Sequence, residues 1–405
     1  MSFEIARSGI NAVNGSLEAI SNNIANAGTY GFKSSRANFS AMVAGTQAIG
    51  AEVSSSTQSM AKGGGLLSTG RGMDAMIQGR GFFAVRDSAG QQVYTRVGIF
   101  SADKDGYVVD SLGRRAQGYA AVLDAAGKPV PGAGLGALGD LKVPTGQIGA
   151  EASKKLAFSG NLSADWKVPG APGPLPAFDP TDPKTFNSSI TSVLYDSLGA
   201  KHSVTQYFVK TAANAVDVHY SFDGAAPTGP QALSFDVNGQ LTAPLAPVPY
   251  GAAPAGAAAL AITIDYSGTT QFAGDTTTLG NAADGYAAGT LTGTSLAEDG
   301  SVLATYSNGL KQTVGTVALA TFANEDALKA ISDTSWEANG ATGTALFSRP
   351  GSATASKLST GAVEQSNVDM TGELVNLMSA QRNYQANTKV ISAENEMMQT
   401  LMQAI

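Results

Sequence analysis

The chain has 405 residues, room for several domains with buried cores, and only 14% of them are charged, against about 25% in an ordinary soluble domain. The absence of cysteine excludes disulfides, zinc–thiolate sites and cysteine nucleophiles, and a net charge of −7 with Lys and Arg scattered singly gives nucleic acid no electrostatic footprint. A surface made instead of Ser, Thr, Asn, Gln, Gly and Ala packs on copies of itself without stranding ions in the contact.

Residues from about Ser2 to Ala27 predict a helix. Phe3, Ala6, Ile10, Val13, Leu17, Ile20, Ile24 and Ala27 recur at alternating steps of three and four, the mark of one narrow apolar seam that packs on another helix. The run Asn26-Ala27-Gly28-Thr29 ends it. The start, Met1-Ser2-Phe3-Glu4, has no positive region and no continuous apolar run follows, so no cleaved signal peptide is expected. Nothing approaches the length of a membrane span.

Residues 28–70 read as an extended connector with little core of its own, containing the run Gly63-Gly64-Gly65. From Met73 short strand-like runs follow, at Met76-Ile77, Phe82 to Val85, Gln92 to Arg96 and Tyr107 to Val109, separated by turn signals at Gly79, Asp87 to Gly90 and Asp103 to Gly106. A Gly/Pro-rich boundary spans Gly127 to Gly149. Beyond it, strands are expected at Ser192 to Asp196, Ser203 to Val209, Val216 to Phe222, Leu233 to Val237 and Ala261 to Tyr266. Residues 242–259 read as a low-complexity loop. The β pattern resumes at Gly289 and runs through Phe322.

A second helix is predicted from about Met370, with Asn367 and Thr371 as candidate caps. Its three-four stripe is Leu374, Leu377, Gln381, Tyr384, Thr388, Ile391, Asn395, Met398, Met402 and Ile405. Gln381, Thr388 and Asn395 take every other place in it. Polar seam residues weaken a helix pair but fix its register and partner number.

The expected fold is mixed, mainly β: two nested antiparallel β domains carried on a stem of N- and C-terminal coiled-coil helices. The divisions are 1–27 with 370–405 as helical stem, 28–70 with 358–369 as connector, 71–145 with 290–357 as a discontinuous β domain, and 146–289 as an inserted outer β domain.

Signs of chemistry are weak. Gly79-Arg80-Gly81-Phe82-Phe83-Ala84 matches the string of a dinucleotide turn, but it opens a strand and reads as a hairpin turn. In Asp103-Lys104-Asp105-Gly106 a calcium loop would need Glu where Leu112 stands, so it too reads as a hairpin turn. His202 and His219 lie on strands, and the pairs Glu298-Asp299 and Glu325-Asp326 read as solvated turn residues. Without a G-x-S-x-G elbow no hydrolytic triad is supported. No catalytic, cofactor or metal residue is named, and the protein is not expected to be an enzyme.

Two longer strings carry a resemblance. Asn22-Asn23-Ile24-Ala25-Asn26-Ala27-Gly28-Thr29-Tyr30-Gly31-Phe32-Lys33 resembles the N-terminal signature of the flagellar rod and hook axial protein family. The family's C-terminal signature is matched by Glu364-Gln365-Ser366-Asn367-Val368-Asp369-Met370, then Glu373-Leu374-Val375, then Ala380-Gln381-Arg382-Asn383-Tyr384-Gln385-Ala386-Asn387. In the middle, Phe178 to Pro183, Val193 to Gly199, Tyr207 to Lys210, Tyr306 to Gly309 and Val317 to Asn324 resemble hook members of that family. The stretch 242–259 departs from them.

The resemblance implies a structural subunit of the flagellar hook that polymerises with itself into a curved tube and passes torque from rod to filament. It also implies export through the flagellar type III apparatus, an extracellular place in the flagellum, and contacts with the hook cap, the distal rod and the hook–filament junction proteins. Neither nucleic acid nor direct membrane insertion is implied. A distal rod subunit shares the ends but normally lacks so large a second β domain. A secreted β-rich adhesin or carbohydrate-binding protein would need an aromatic platform, and Trp166 and Trp336 stand far apart.

Overall fold

The computed structural model describes residues 2–44, 47–123, 130, 134–352 and 356–403. The fold is mainly β with a helix towards each end. Two compact units divide the chain: Met1–Thr145 with Gly293–Thr305 and Lys311–Ile405, and Gly146–Thr292 with Tyr306–Leu310.

In the first unit, α1 (Ser2–Ala25) stops two residues short of the predicted end. Asn26 Nδ2 donates back to Asn22 O at 3.0 Å and to Asn22 Oδ1 at 2.8 Å, and Thr29 Oγ1 donates to Asn26 Oδ1 at 3.0 Å. These side chains take over as the helical ladder ends.

Where composition predicts a connector with little core of its own, the chain forms a long antiparallel hairpin of β1 (Ser35–Ala44) and β2 (Gln47–Gln58), paired from Ser35 opposite Gln58 to Ala44 opposite Gln47 with register shifts at Asn38/Phe39 and Met42/Val43. Its strands are rich in Ser and Ala and bury no continuous apolar face, so periodicity gives no warning of them. The connector limbs are also paired. Leu66–Ser68 runs antiparallel to Ala362–Glu364, and Ala75–Gln78 to Lys357–Thr360. The outgoing and returning limbs of the chain thus run side by side through two short ladders.

Phe82, Tyr94, Phe322 and Trp336 fill the core of this unit with Met60 and Leu328. Tyr94 meets Phe322 edge-on at 4.8 Å, a favourable aromatic geometry. Trp336 Nε1 donates to Gln58 Oε1 at 2.7 Å, tying β2 to that core. Gly79-Arg80-Gly81 is not the hairpin turn expected from sequence. It joins Ala75–Gln78 to Phe82–Arg86, and these strands pair with other partners. Gly79 and Gly81 have φ of 113° and 111°, which suits glycine.

In the second unit a five-stranded antiparallel sheet runs in the order Ser188–Tyr195, Lys201–Ala212, Ala215–Phe222, Thr228–Phe235, Leu241–Ala243. The other sheet has four strands, Val248–Ala252, Leu260–Asp265, Lys155–Asn161 and Thr277–Ala283. Lys155–Asn161 pairs with Leu260–Asp265 in parallel, an exception to the antiparallel expectation.

Apolar residues from both sheets, among them Phe158, Phe208, Val218, Ile262 and Ile264, form one core. Inside it Tyr266 Oη donates to Gln206 Oε1 at 2.7 Å and lies 2.8 Å from Tyr220 Oη. Burial pushes the Tyr220 phenol up to about 12, so this polar chain stays neutral. One strand, Val248–Ala252, falls inside the stretch read as a low-complexity loop, and Leu241–Ala243 runs into its start. Composition hides them because few of their side chains reach the core, Val248 buried in it and Leu241, Tyr250 and Ala252 packed against it, while the partner strands supply the order.

One turn recurs in both units. Asp87, Asp103, Asp110, Asp196 and Asp236 each accept, through Oδ1, the backbone N–H two and four residues on. The third residue after each is glycine, at φ between 72° and 86°. The carboxylate replaces backbone partners that a reversing chain loses, and glycine takes the left-handed turn. In Asp103-Lys104-Asp105-Gly106 this is the hairpin turn expected, between Phe100–Ala102 and Val108–Asp110.

Candidate assembly surface

α2 (Met370–Gln403) lies antiparallel against α1. Asn23 Nδ2 donates to Glu373 Oε1 at 2.9 Å near one end. Toward the other end Gly9 faces Asn387 so closely that a Cβ there would stand 3.0 Å from Asn387 Nδ2. Carried on, this register sets Ser2 opposite Glu394. The last turns of α2, from Asn395 to Gln403, then extend past the start of α1.

The groove between the two helices and the hairpin, about 590 Å³, is lined by Glu373, Asn376, Ala380, Asn383 and Asn387 of α2 and by Gly9, Ala12, Val13, Ser16 and Ile20 of α1. Those α2 residues stand one place ahead of the predicted stripe, about 100° round the helix. Within the chain, α2 thus turns small and polar residues toward α1, and Ala380 is its one buried residue among those described.

The stripe itself is largely uncovered. Leu374, Gln381, Tyr384, Thr388, Asn395, Met398 and Met402 are exposed, and Leu377 and Ile391 half-buried. Ile405 lies outside the described residues. On α1, Ala6 and Ile20 are buried, Ile10, Val13, Leu17 and Ile24 half-buried, and Phe3 exposed; Ala27, half-buried, lies beyond the helix end. A further groove of about 620 Å³, between α1 and the hairpin, is lined by Ile5, Ser8, Ala12, Met42, Ile49 and Val53 among others. The described part of the helical region thus leaves apolar surface open in a chain of otherwise mild polarity.

The two signature strings meet at a buried junction. Lys33 Nζ donates to Glu364 Oε1 at 2.7 Å and to Lys62 O at 2.9 Å. Glu364 Oε1 also accepts the Gly64 N–H at 2.9 Å, and its Oε2 accepts from Arg96 Nη1 at 3.3 Å. Lys33 and Glu364 side chains are 0% and 1% exposed, and Arg96 1%. Burial pushes the Lys33 amine down, and the Arg96 charge adds to this while Glu364 opposes it. Arg96 also lies over the Phe82 ring at 5.1 Å, a contact with the core aromatics.

Gly31, at φ 67°, donates its N–H to Glu364 O at 2.8 Å, with Arg96 and Val97 crowding the place of a Cβ. Asn367 is not a cap. Its Oδ1 accepts the Ser34 N–H at 2.7 Å, and its Nδ2 donates to Ser59 O and Lys62 O at 3.0 and 2.9 Å. The cap is Asp369, whose Oδ1 accepts the N–H groups of Thr371 and Gly372 at 3.1 and 3.2 Å.

Asn22, Asn26 and Thr29 form the helix end described above. Phe32 O accepts the Asn367 N–H at 3.3 Å and Ser366 Oγ accepts the Val368 N–H at 3.4 Å. Arg382 and Gln385 are exposed on α2. Sequence reasoning did not single out Arg96, Glu364 or Asn23 as partners.

The residues weighed for chemistry have structural partners. Glu325, expected to be a solvated turn residue, is buried and bonded to Arg80 Nε at 3.3 Å, while Asp326 beside it on the short 3₁₀ turn is exposed as expected. His219 stacks on Phe178 at 4.2 Å, and His202 is held by two carboxylates. Among the described residues no cluster of His, Asp and Glu could hold a metal, and no helix is long and apolar enough to cross a membrane.

Family models match in chain order. Residues 3–33 match the flagella basal body rod protein, 76–155 the flagellar hook protein FlgE/F/G D1 domain, 161–286 the flagellar basal body protein FlaE D2 domain, and 359–404 the flagellar basal body rod FlgEFG protein C-terminal region. Helical ends joined at a buried junction, with β units between, define an axial subunit of the bacterial flagellum.

Over 414 residues the chain is 35% identical to the flagellar hook protein FlgE of Salmonella typhimurium strain LT2, with 99% of each chain covered. It is 33% identical over 411 residues to that of Escherichia coli K12, at the same coverage. The crystal structure of Helicobacter pylori flagellar hook protein FlgE2 shares the fold, with a TM-score of 0.51 at 14% identity over 72% of this chain and 98% of that one. The chain belongs to the flagellar hook protein FlgE family and is a structural subunit of the hook.

Proposed function

We propose that the uncovered stripe of α2 is the face by which one subunit grips the next. One observation carries this reading: the apolar seam legible in the sequence is not the face that α2 turns to α1. The intramolecular pair uses Ala380 and its polar neighbours, so the seam is left for other copies, and the end from Asn395 to Gln403 has no α1 residue beside it.

In this reading the terminal helices, 1–27 and 370–405, build the inner wall of a curved tube that works as a universal joint and carries torque from rod to filament. The discontinuous β domain, 71–145 with 290–357, forms the wall around it. The inserted domain, 146–289, exchanges charge-poor contacts with neighbouring copies as the tube bends. The connectors 28–70 and 358–369 join helices to β domains through the buried junction of Lys33 and Glu364.

Subunits leave the cell through the flagellar type III apparatus without a cleaved signal peptide and add at the distal end beneath a hook cap. The distal rod lies below them and the hook–filament junction proteins above. The role is structural, with no catalytic activity, cofactor, nucleic-acid partner or membrane insertion.

Removal of residues 395–405 tests the reading. The truncated chain should keep its β signature by circular dichroism and form no tubes in electron micrographs under conditions where the full chain does. Tubes of normal diameter from the truncated chain would refute it.

A further inference from the structure

One end of the five-stranded sheet in the second unit holds a histidine between two carboxylates. His202 Nδ1 lies 2.6 Å from Asp223 Oδ2, and its Nε2 lies 3.3 Å from Asp196 Oδ2. The side chain is 15% exposed, and the ring stacks on Phe222 at 5.1 Å. A neutral imidazole has one N–H and one lone pair, so in that form one ring nitrogen would turn its lone pair on a carboxylate oxygen. The imidazolium alone donates to both.

Each carboxylate also holds a chain segment through its other oxygen. Asp196 Oδ1 accepts the N–H groups of Leu198 and Ala200 at 2.9 and 2.8 Å, closing the turn between Ser188–Tyr195 and Lys201–Ala212. Asp223 Oδ1 accepts the Ser203 N–H at 2.7 Å and sits in the left-handed region at φ 47°, just past Ala215–Phe222. The cation therefore joins two turns that belong to different hairpins. At the tip of the first, Leu198 is 71% exposed, an apolar residue on a polar turn.

The charges that bear on the ring are those of Asp223 and Asp196. Tyr250, from Val248–Ala252, lies near Asp223 but stays neutral, because burial raises its phenol. Lys201, the neighbour of His202 on its own strand, is exposed.

We propose that His202 is a proton-operated clamp, which orders the Leu198 tip of the second unit while it is charged and frees it on losing its proton. The hydrogen bond to Asp223, then that to Asp196, raises the imidazole above its ordinary 6.5 although burial opposes this. For Asp196 and Asp223, burial pushes upward but the hydrogen bonds they accept outweigh it, and both fall below 3.8.

A raised histidine contributes stability that is complete below its unfolded value and is lost as pH rises through the folded one. Lowered carboxylates contribute stability that is present above their unfolded value and is lost as pH falls through the folded one. The clamp is closed between these limits and opens as pH rises through the raised His202 value.

The test uses the full chain. It has two histidines, so side-chain NMR resonances are assigned with His202→Gln and followed from about pH 5 to about pH 9. Hydrogen-exchange protection of the Leu198, Ala200 and Ser203 amides is measured over the same range. The clamp requires that His202 titrate above 6.5 and that protection fall about threefold or more through the same midpoint. The step should be absent in His202→Gln.

If that variant does not fold, Asp223→Asn should lower the midpoint, and the wild-type titration still decides. A His202 midpoint at or below the ordinary value overturns the proposal. So does protection that shows no step through it.

Discussion

Lys33 and Glu364 are separated by 331 positions in the chain, yet their side chains meet at 2.7 Å where water does not reach. Arg96 shares the carboxylate, so one anion serves two buried cations. Glu364→Gln leaves both without a full partner and should cost about 3–5 kcal/mol, the usual penalty for breaking a buried pair. Lys33→Met keeps the Arg96–Glu364 pair and should cost less. Chemical denaturation of both variants checks the order; equal losses would show that Glu364 does not serve both cations.

Gly106 and Gly113 occupy the same place in successive Asp-x-x-Gly turns, at φ 84° and 79°. Their surroundings differ. A Cβ on Gly106 would fall 2.3 Å from Val143 O, whereas nothing lies within 4 Å of one on Gly113. Gly113→Ala should cost only the left-handed backbone penalty, about 1–2 kcal/mol. Gly106→Ala adds a collision with main chain and should cost clearly more. Thermal unfolding of the two variants separates backbone conformation from packing.

Asp369 caps α2 through two backbone N–H groups, so Asp369→Ala should cost about 1 kcal/mol. The loss should be local. Amides of the first turn of α2 should exchange faster with little change in the β units, and a uniform rise in exchange would contradict a capping role.

His219 differs from His202 in that burial against Phe178 pushes its imidazole below the ordinary 6.5, with Asp217 opposing. As pH falls below 6.5 the unfolded chain takes up this proton first, so stability drops until the folded value is passed. His219→Phe should flatten that acid limb. Denaturation midpoints between about pH 4 and pH 7 would show it.

Much of this was legible because it depends on local pattern. The helix of α1, the turns at Asp87 to Gly90 and Asp103 to Gly106 and the alternating strands of the second unit follow from three-four spacing, turn chemistry and period two. The hairpin of β1 and β2 was hidden, since Ser and Ala on both faces leave no alternation. The face that α2 turns to α1 was hidden for a different reason: Gly9 and Ala380 let the backbones approach, and small residues carry no hydrophobic signal. The junction was legible as two strings that resemble a family signature but not as a contact. Nothing in a linear sequence says that Lys33 should find Glu364, or that Asn367 should hold Ser34 instead of capping α2.

Gln381, Thr388 and Asn395 are exposed on α2 and recur through its apolar stripe. Because they are exposed, their replacement by Leu should change the stability of the isolated chain by no more than about 0.5 kcal/mol per site. Assembly should respond quite differently. A polar residue in a helix seam favours the one register in which it meets a polar partner or water, and it penalises the rest. With all three changed to Leu, several registers become nearly equal in energy. The variant should polymerise more readily but into tubes of mixed diameter or into amorphous aggregate, which negative-stain microscopy distinguishes. A single tube form with unchanged geometry would show that these residues do not set register, and that the selection is made elsewhere on the subunit.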